Sequence, residues 1–181
     1  MCQKYHISLT IILIFLSFSA QAESLENQAD PQMNNQVMGK LIKRLDKKAE
    51  GKPGFWAFTV QGIKLRVITD ERANRMRIIS PIVKSAELNK DQLYRLMQAN
   101  FDSALDARYS IAKGAVWSTY LHPLSELSAE EFITAVGQVV NLVSTYGSSF
   151  SSGLLIYQGG DRKDRERRNL IDKLLKKGLT V

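Results

Sequence analysis

The chain has 181 residues, a mass of 20.4 kDa and a formal net charge of +7. With 44% hydrophobic and 24% charged residues it fits one globular domain with tails and is too apolar to be disordered throughout. One cysteine and two histidines exclude a disulfide framework and most zinc sites.

The N-terminus reads as an export signal. Lys4 supplies a positive start, Ile7 to Ala20 an apolar run of 14 residues, and Ala20-Gln21-Ala22 a small-x-small cleavage site. The run falls short of the roughly 20 apolar residues that span a bilayer as a helix, so cleavage after Ala22 and delivery to the periplasm are expected. No cysteine follows the run, which argues against a lipoprotein anchor. Cleavage removes Cys2, Lys4 and His6 and lowers the charge to +6. The mature chain then has no cysteine, one histidine (His122), and packing alone to hold it in an oxidising compartment.

Residues 23–32 are polar and read as a disordered leader. From Met33 to Ala49, Val37, Met38, Leu41, Ile42 and Leu45 recur at helical spacing until Gly51-Lys52-Pro53-Gly54 breaks the helix. The period then becomes two. Trp56, Phe58 and Val60 alternate towards a Gln61-Gly62 turn, and Ile63, Leu65 and Val67 alternate away from it. That turn sets Trp56 opposite Val67, Phe58 opposite Leu65 and Val60 opposite Ile63, all on one side. A third strand over about 74–83 follows an Asp70–Ala73 turn, with Val67 facing Met76 and Leu65 facing Ile78; Pro81 ends regular pairing or marks an edge.

Asn89 to Gln92 has the form of a capping box, opening a helix with Leu93, Leu96, Met97, Asn100 and Phe101 as its stripe. Ala107, Tyr109 and Ile111 form one arm of a second hairpin. Lys113-Gly114 is its turn, and Val116, Ser118 and Tyr120 return with Trp117, Thr119 and Leu121 on the other side. Ser128 to Glu131 is a second capping box, before a helix carrying Phe132, Ile133, Val136, Val139, Val140 and Val143. Gly147 to Gly153 reads as a loop, Leu154 to Tyr157 is a short apolar segment of open type, and 161–177 is a charged helix with Leu170, Ile171, Leu174 and Leu175 as a narrow stripe. The order α-β-β-β-α-β-β-α predicts an α+β fold: an antiparallel sheet, three-stranded meander plus hairpin, with helices on one face. The domains are therefore a signal at 1–22, a leader at 23–32, an α+β domain at 33–148 and a Ser/Gly loop with a basic extension at 149–181.

This order, the string Leu93-Tyr94-Arg95-Leu96-Met97-Gln98-Ala99-Asn100-Phe101, the Ala107–Tyr120 hairpin and the step Leu121-His122-Pro123-Leu124 together resemble the YbjN-like family over about residues 35–148. That family is similar in fold to the class I type III secretion chaperones. The resemblance implies a compact, often dimeric, non-enzymatic module that binds other proteins. Two departures bear on it: the export signal removes the chain from cytoplasmic effector secretion, and its charge is positive where those chaperones are acidic.

No catalytic set assembles from the residues, so the reading is a non-enzyme without cofactor or metal. His122 lacks a second histidine or cysteine and suits a structural role. The Ser-rich stretch at 147–153 lacks the G-x-S-x-G spacing of a nucleophile elbow. Glu130-Glu131 fits a helix start, where the dipole favours negative charge. Two basic features stand out as candidate partner or anion sites. Lys64, Arg66, Arg75 and Arg77 share the outer side of the meander, with Arg66 expected opposite Arg77. Arg162, Arg165 and Arg168 belong to the segment 161–177, which holds eight basic residues against four acidic ones. The expected partner is a protein or peptide, with a second copy of the chain and an anionic membrane surface as alternatives. Nucleic acid is not expected in the periplasm.

Overall fold

The first helix is set by its cap. In the computed structural model, which describes residues 32–102, 104–147 and 161–180, Asn34 accepts from the backbone N–H groups of Gln36 and Val37 at 2.9 and 3.0 Å. Two otherwise unsatisfied donors at the start of α1 (Asn35–Leu45) are thereby paired. The helix is shorter than the 33–49 span that periodicity suggests. It stops at Asp46, whose carboxylate accepts from the backbone N–H groups of Lys48 and Thr59, each at 2.9 Å, and ties the helix end to the sheet.

Beyond it lies a strand that the sequence reading missed, β1 (Glu50–Lys52), antiparallel to β2 (Phe55–Val60). Its three residues are all exposed and carry no alternation. Gly51 has φ +139°, and a Cβ there would collide with the Phe55 carbonyl oxygen, so this pairing admits only glycine. Next, β2 pairs with β3 (Ile63–Asp70) in the expected register, Trp56 opposite Val67 and Phe58 opposite Leu65. Gln61 and Gly62 both have positive φ, the two-residue turn whose twist matches the strands.

The next strand, β4 (Arg75–Lys84), corrects the expected register by two residues. Val67 lies opposite Ile78, and Thr69 opposite Met76. Arg66 therefore faces Ile79, and Arg77 faces Ile68. The reason is in the turn. Asp70 accepts from the Ala73 N–H at 3.0 Å, and Asn74 adopts φ +49°, so Asn74 belongs to the turn and the strand begins one residue later. A shift of two keeps each side chain on its face, so the apolar side survives. At Pro81, which has no N–H to donate, the later pairing slips by one residue and the strand continues to Lys84.

After a single 3-10 turn (Ser85–Glu87) comes α2 (Lys90–Asp102), whose capping box forms as expected: Asn89 and Gln92 exchange bonds of 2.9 Å. It crosses to β5 (Arg108–Ala112), which turns through Lys113-Gly114 into β6 (Ala115–His122). All six strands are antiparallel, in the order β1-β2-β3-β4-β6-β5.

The Ser128–Glu131 capping box opens α3 (Ala129–Ser144). This helix is buried almost all round because it lies between the sheet and α4 (Asp161–Leu179). On the sheet side, Ser118 donates to the Val139 carbonyl and Tyr109 to that of Leu142, each at 3.2 Å. On the other side, a Cβ at Gly137 would lie 2.7 Å from Cγ1 of Ile171, so glycine sets the closeness of the two helices. Helices α1 and α3 thus cover one face of the sheet, and α4 covers both from outside. The described residues all belong to one compact unit, Pro31–Val181. The expected signal at 1–22, nearly all of the leader at 23–32, the loop from residue 148 to 153 and the Leu154–Tyr157 segment lie outside the described residues.

Candidate functional site

The sheet has one face without helical cover. Its corrected register arranges the outward side chains as an alternating pattern. One row across the strands reads Phe55, Ile68, Arg77, Leu121; the next reads Ala57, Arg66, Ile79, Thr119, Arg108. Apolar and cationic residues therefore face each other directly, and Arg66 and Arg77 meet only on the diagonal. This resolves the like-charge opposition that the earlier register would have imposed. Arginine stems can lie along the neighbouring aliphatic groups with their heads in water. Arg75 stands opposite Asp70 and Lys64 opposite Thr59. All four predicted meander cations are exposed on this face. Leu121 is 62% exposed and Phe55 42%, too open for core roles.

At the β2–β3 end the face deepens into a cavity of about 580 Å³, lined by Asp46, Lys48, Thr59, Lys64 and Arg66 among others. The backbone N–H groups of Thr59 and Lys48 hold the Asp46 carboxyl below its ordinary pKa, so it stays ionised there.

A second uncovered surface belongs to α2. Leu96 and Ala99 are buried, while Tyr94 (67% exposed), Met97 and Phe101 (85%) form an outward row at i, i+3 and i+7, with Leu105 beyond. The expected stripe is therefore divided, since Met97 and Phe101 point away from the core. The helix instead meets the sheet through Asn100, which accepts from the Tyr109 N–H at 2.7 Å and donates to its carbonyl at 3.0 Å. That side chain occupies the β5 edge at Tyr109, and β1 is the opposite edge of the sheet.

The basic C-terminal segment is docked. Leu170 and Leu174 are buried, Lys177 donates to the Leu45 carbonyl at 2.6 Å, and Arg44 to that of Gly178 at 3.1 Å. Arg165 and Arg168 are exposed on α4; the described side chains of that helix begin at Arg165, so Arg162 lies outside them. The structure does not bring these cations together with the meander cations, since α4 covers the helices and the meander cations face the other way.

His122 is half-buried, its Nδ1 2.7 Å from the Pro123 carbonyl oxygen and its ring parallel to that of Tyr120. Among the described residues no group of three or more His, Cys, Asp or Glu could hold a metal ion, and no helix is long and apolar enough to cross a membrane. The sequence reading named Leu121 only as an outward residue and overlooked Phe55, Ile68, Ile79 and Arg108. The available signal was the alternation Arg66–Ile68 and Arg77–Ile79 on one parity.

No protein-family model matches the chain, and no curated protein matches it. Solved structures similar to it include three protein complexes. A chain of the ExsC–ExsE complex is 12% identical, with 65% of this chain and 97% of that one covered and a TM-score of 0.51. A chain of the HopA1–SchA chaperone–effector complex is 11% identical over 63% and 95%, TM-score 0.47. A chain of the Yersinia pestis type III secretion chaperone SycH with a YscM2 fragment is 14% identical over 61% and 97%, TM-score 0.47. The likeness to the chain of the ExsC–ExsE complex is one of fold, and it bears out the α+β architecture expected from the sequence.

Proposed function

We propose that the chain is an exported, non-enzymatic, chaperone-like module that binds a polypeptide on the open face of its sheet. The observation that carries this reading is the alternation of apolar and cationic groups there, exposed Phe55 and Leu121 and half-buried Ile68 and Ile79 with Arg66, Arg77 and Arg108. An apolar patch rimmed by charge marks an interaction surface. Its partner would be a segment mixing apolar and acidic side chains, since a basic segment would be repelled. The similar fold in the ExsC–ExsE complex, a protein bound to a protein, supports the reading. Periplasmic location rests on the signal-like pattern of residues 1–22. A homodimer would use the outward row of α2, Tyr94, Met97 and Phe101. The alternative, attachment to an anionic membrane surface through Arg162, Arg165 and Arg168, has less support because the apolar stripe of α4 already packs on α1 and α3. Charge alone would remain for the lipid, giving weak, salt-sensitive binding.

The test is suppression of aggregation of an unfolded acidic client, followed by light scattering. The wild-type chain delays aggregation, and Ile79→Asp/Leu121→Asp abolishes the delay while leaving the melting temperature within a few degrees. Equal protection by both chains removes the open face from the function.

A further inference from the structure

A cleft of about 570 Å³ lies between α1 and the β1–β2 hairpin, on the helical side of the sheet. Its size is that of small-ligand sites. Lys40, Lys43 and Arg44 of α1 and Lys52 of β1 line it against a single acid, Glu50. Lys43 donates to the Ala49 carbonyl at 2.6 Å and Arg44 to that of Gly178 at 3.1 Å. These bonds fix both cations in place without cancelling them, because a carbonyl carries no net charge. Lys40 and Lys52 are exposed and have no ion-pair partner among the described residues.

Trp56 completes the wall. Its side chain belongs to the core, at 6% exposure, yet its Nε1–H makes no hydrogen bond among the described residues. A buried indole N–H normally finds a partner. No fully buried polar side-chain atom among the described residues lacks one, so this N–H opens onto the cleft. Gly39 keeps it reachable: a Cβ there would lie 3.5 Å from Nε1, in ordinary contact with the indole, and would shade the donor. An unused donor at the base of a basic cleft is arranged for an oxyanion. The surplus of three positive charges over Glu50 suits a dianionic phosphate better than a carboxylate.

We propose that this cleft binds a phosphate-bearing anion, with the Trp56 Nε1–H, Lys40 and Lys52 as its donors and Lys43 and Arg44 supplying the fixed positive field. The site is independent of the polypeptide-binding reading, whose residues lie on the opposite face of the sheet.

The test uses Trp56 as its own reporter. The chain has two tryptophans, so Trp117→Phe leaves Trp56 alone. This chain is titrated with inorganic phosphate and, separately, with vesicles containing phosphatidic acid, a phosphomonoester lipid, against phosphatidylcholine controls. A saturable change in Trp56 emission is expected, weakened roughly tenfold or more by Lys40→Gln/Lys52→Gln. Gly39→Ala separates binding from folding: it removes a glycine from a helix interior and should raise the melting temperature while weakening binding. Saturation by free phosphate identifies a soluble ligand; a response to phosphatidic acid vesicles alone identifies a lipid headgroup. Both support the oxyanion site. No saturable response to either probe, or a response unchanged in Lys40→Gln/Lys52→Gln, overturns it.

Discussion

Replacing Leu174 by alanine tests whether α4 is part of the fold or a detachable tail. Leu174 is 6% exposed and packs beside Gly137 of α3, where glycine brings the helix axes close. Truncation removes three buried carbons and leaves a gap that two rigid helices close only in part. Leucine-to-alanine changes at such sites cost about 2–5 kcal/mol, and a site one layer out from the sheet belongs near 3. For a chain of this length that corresponds to a fall in melting temperature of roughly 6–12 °C. Urea unfolding followed by far-UV circular dichroism reads it directly, with Arg168→Ala, an exposed residue on the same helix, as the control. A cost for Leu174→Ala below about 0.5 kcal/mol, equal to that of the control, would refute the docked helix and return the basic segment to the membrane reading.

Three further outcomes follow from the same structure. Ser128→Ala removes the α3 cap and should cost about 1 kcal/mol at neutral pH, measured by urea unfolding. The Ser128 N–H holds the Glu131 carboxyl below its ordinary pKa, as the Asn74 and Ser125 side chains do for Glu126. The stabilisation from these lowered carboxyls is present above the usual carboxylate range and is lost as pH falls through their folded-state values, so stability should decline on acidification and Glu131→Gln should flatten that decline. Phe101→Asp changes a side chain 85% exposed in one chain; sedimentation should show a dimer becoming a monomer with the melting temperature retained, and an unchanged mass removes α2 as the self-contact.

The fold was largely legible because its signals are local and redundant. The alternation around Gln61-Gly62 and the turn chemistry agree on one register, and two capping boxes, Asn89–Gln92 and Ser128–Glu131, announce their helices. What escaped had no local signal. β1 is three exposed residues whose existence depends on Gly51 and on β2 being already in place. The two-residue error in β4 came from assigning Asn74 to the strand; its left-handed backbone is held by contacts 52 and 51 residues away, where its amide meets Glu126 and Ser125. The candidate site was half legible. The sequence placed Lys64, Arg66, Arg75 and Arg77 on one side, but only the register turns that basic side into a mixed surface of cations and partly exposed aliphatic groups. The division of the α2 stripe follows from where the sheet ends: β5 is its edge strand, so the core reaches only the inner side of the helix.

The most direct measurement of the account is site-specific photo-cross-linking in the living cell, with the reactive residue placed at position 121 on the open face and, in a matched chain, at position 168 on α4. The account predicts a discrete polypeptide adduct from position 121, lost on Arg66→Glu/Arg77→Glu, and none from position 168. Adducts of equal yield from both positions, or none from position 121, would contradict it.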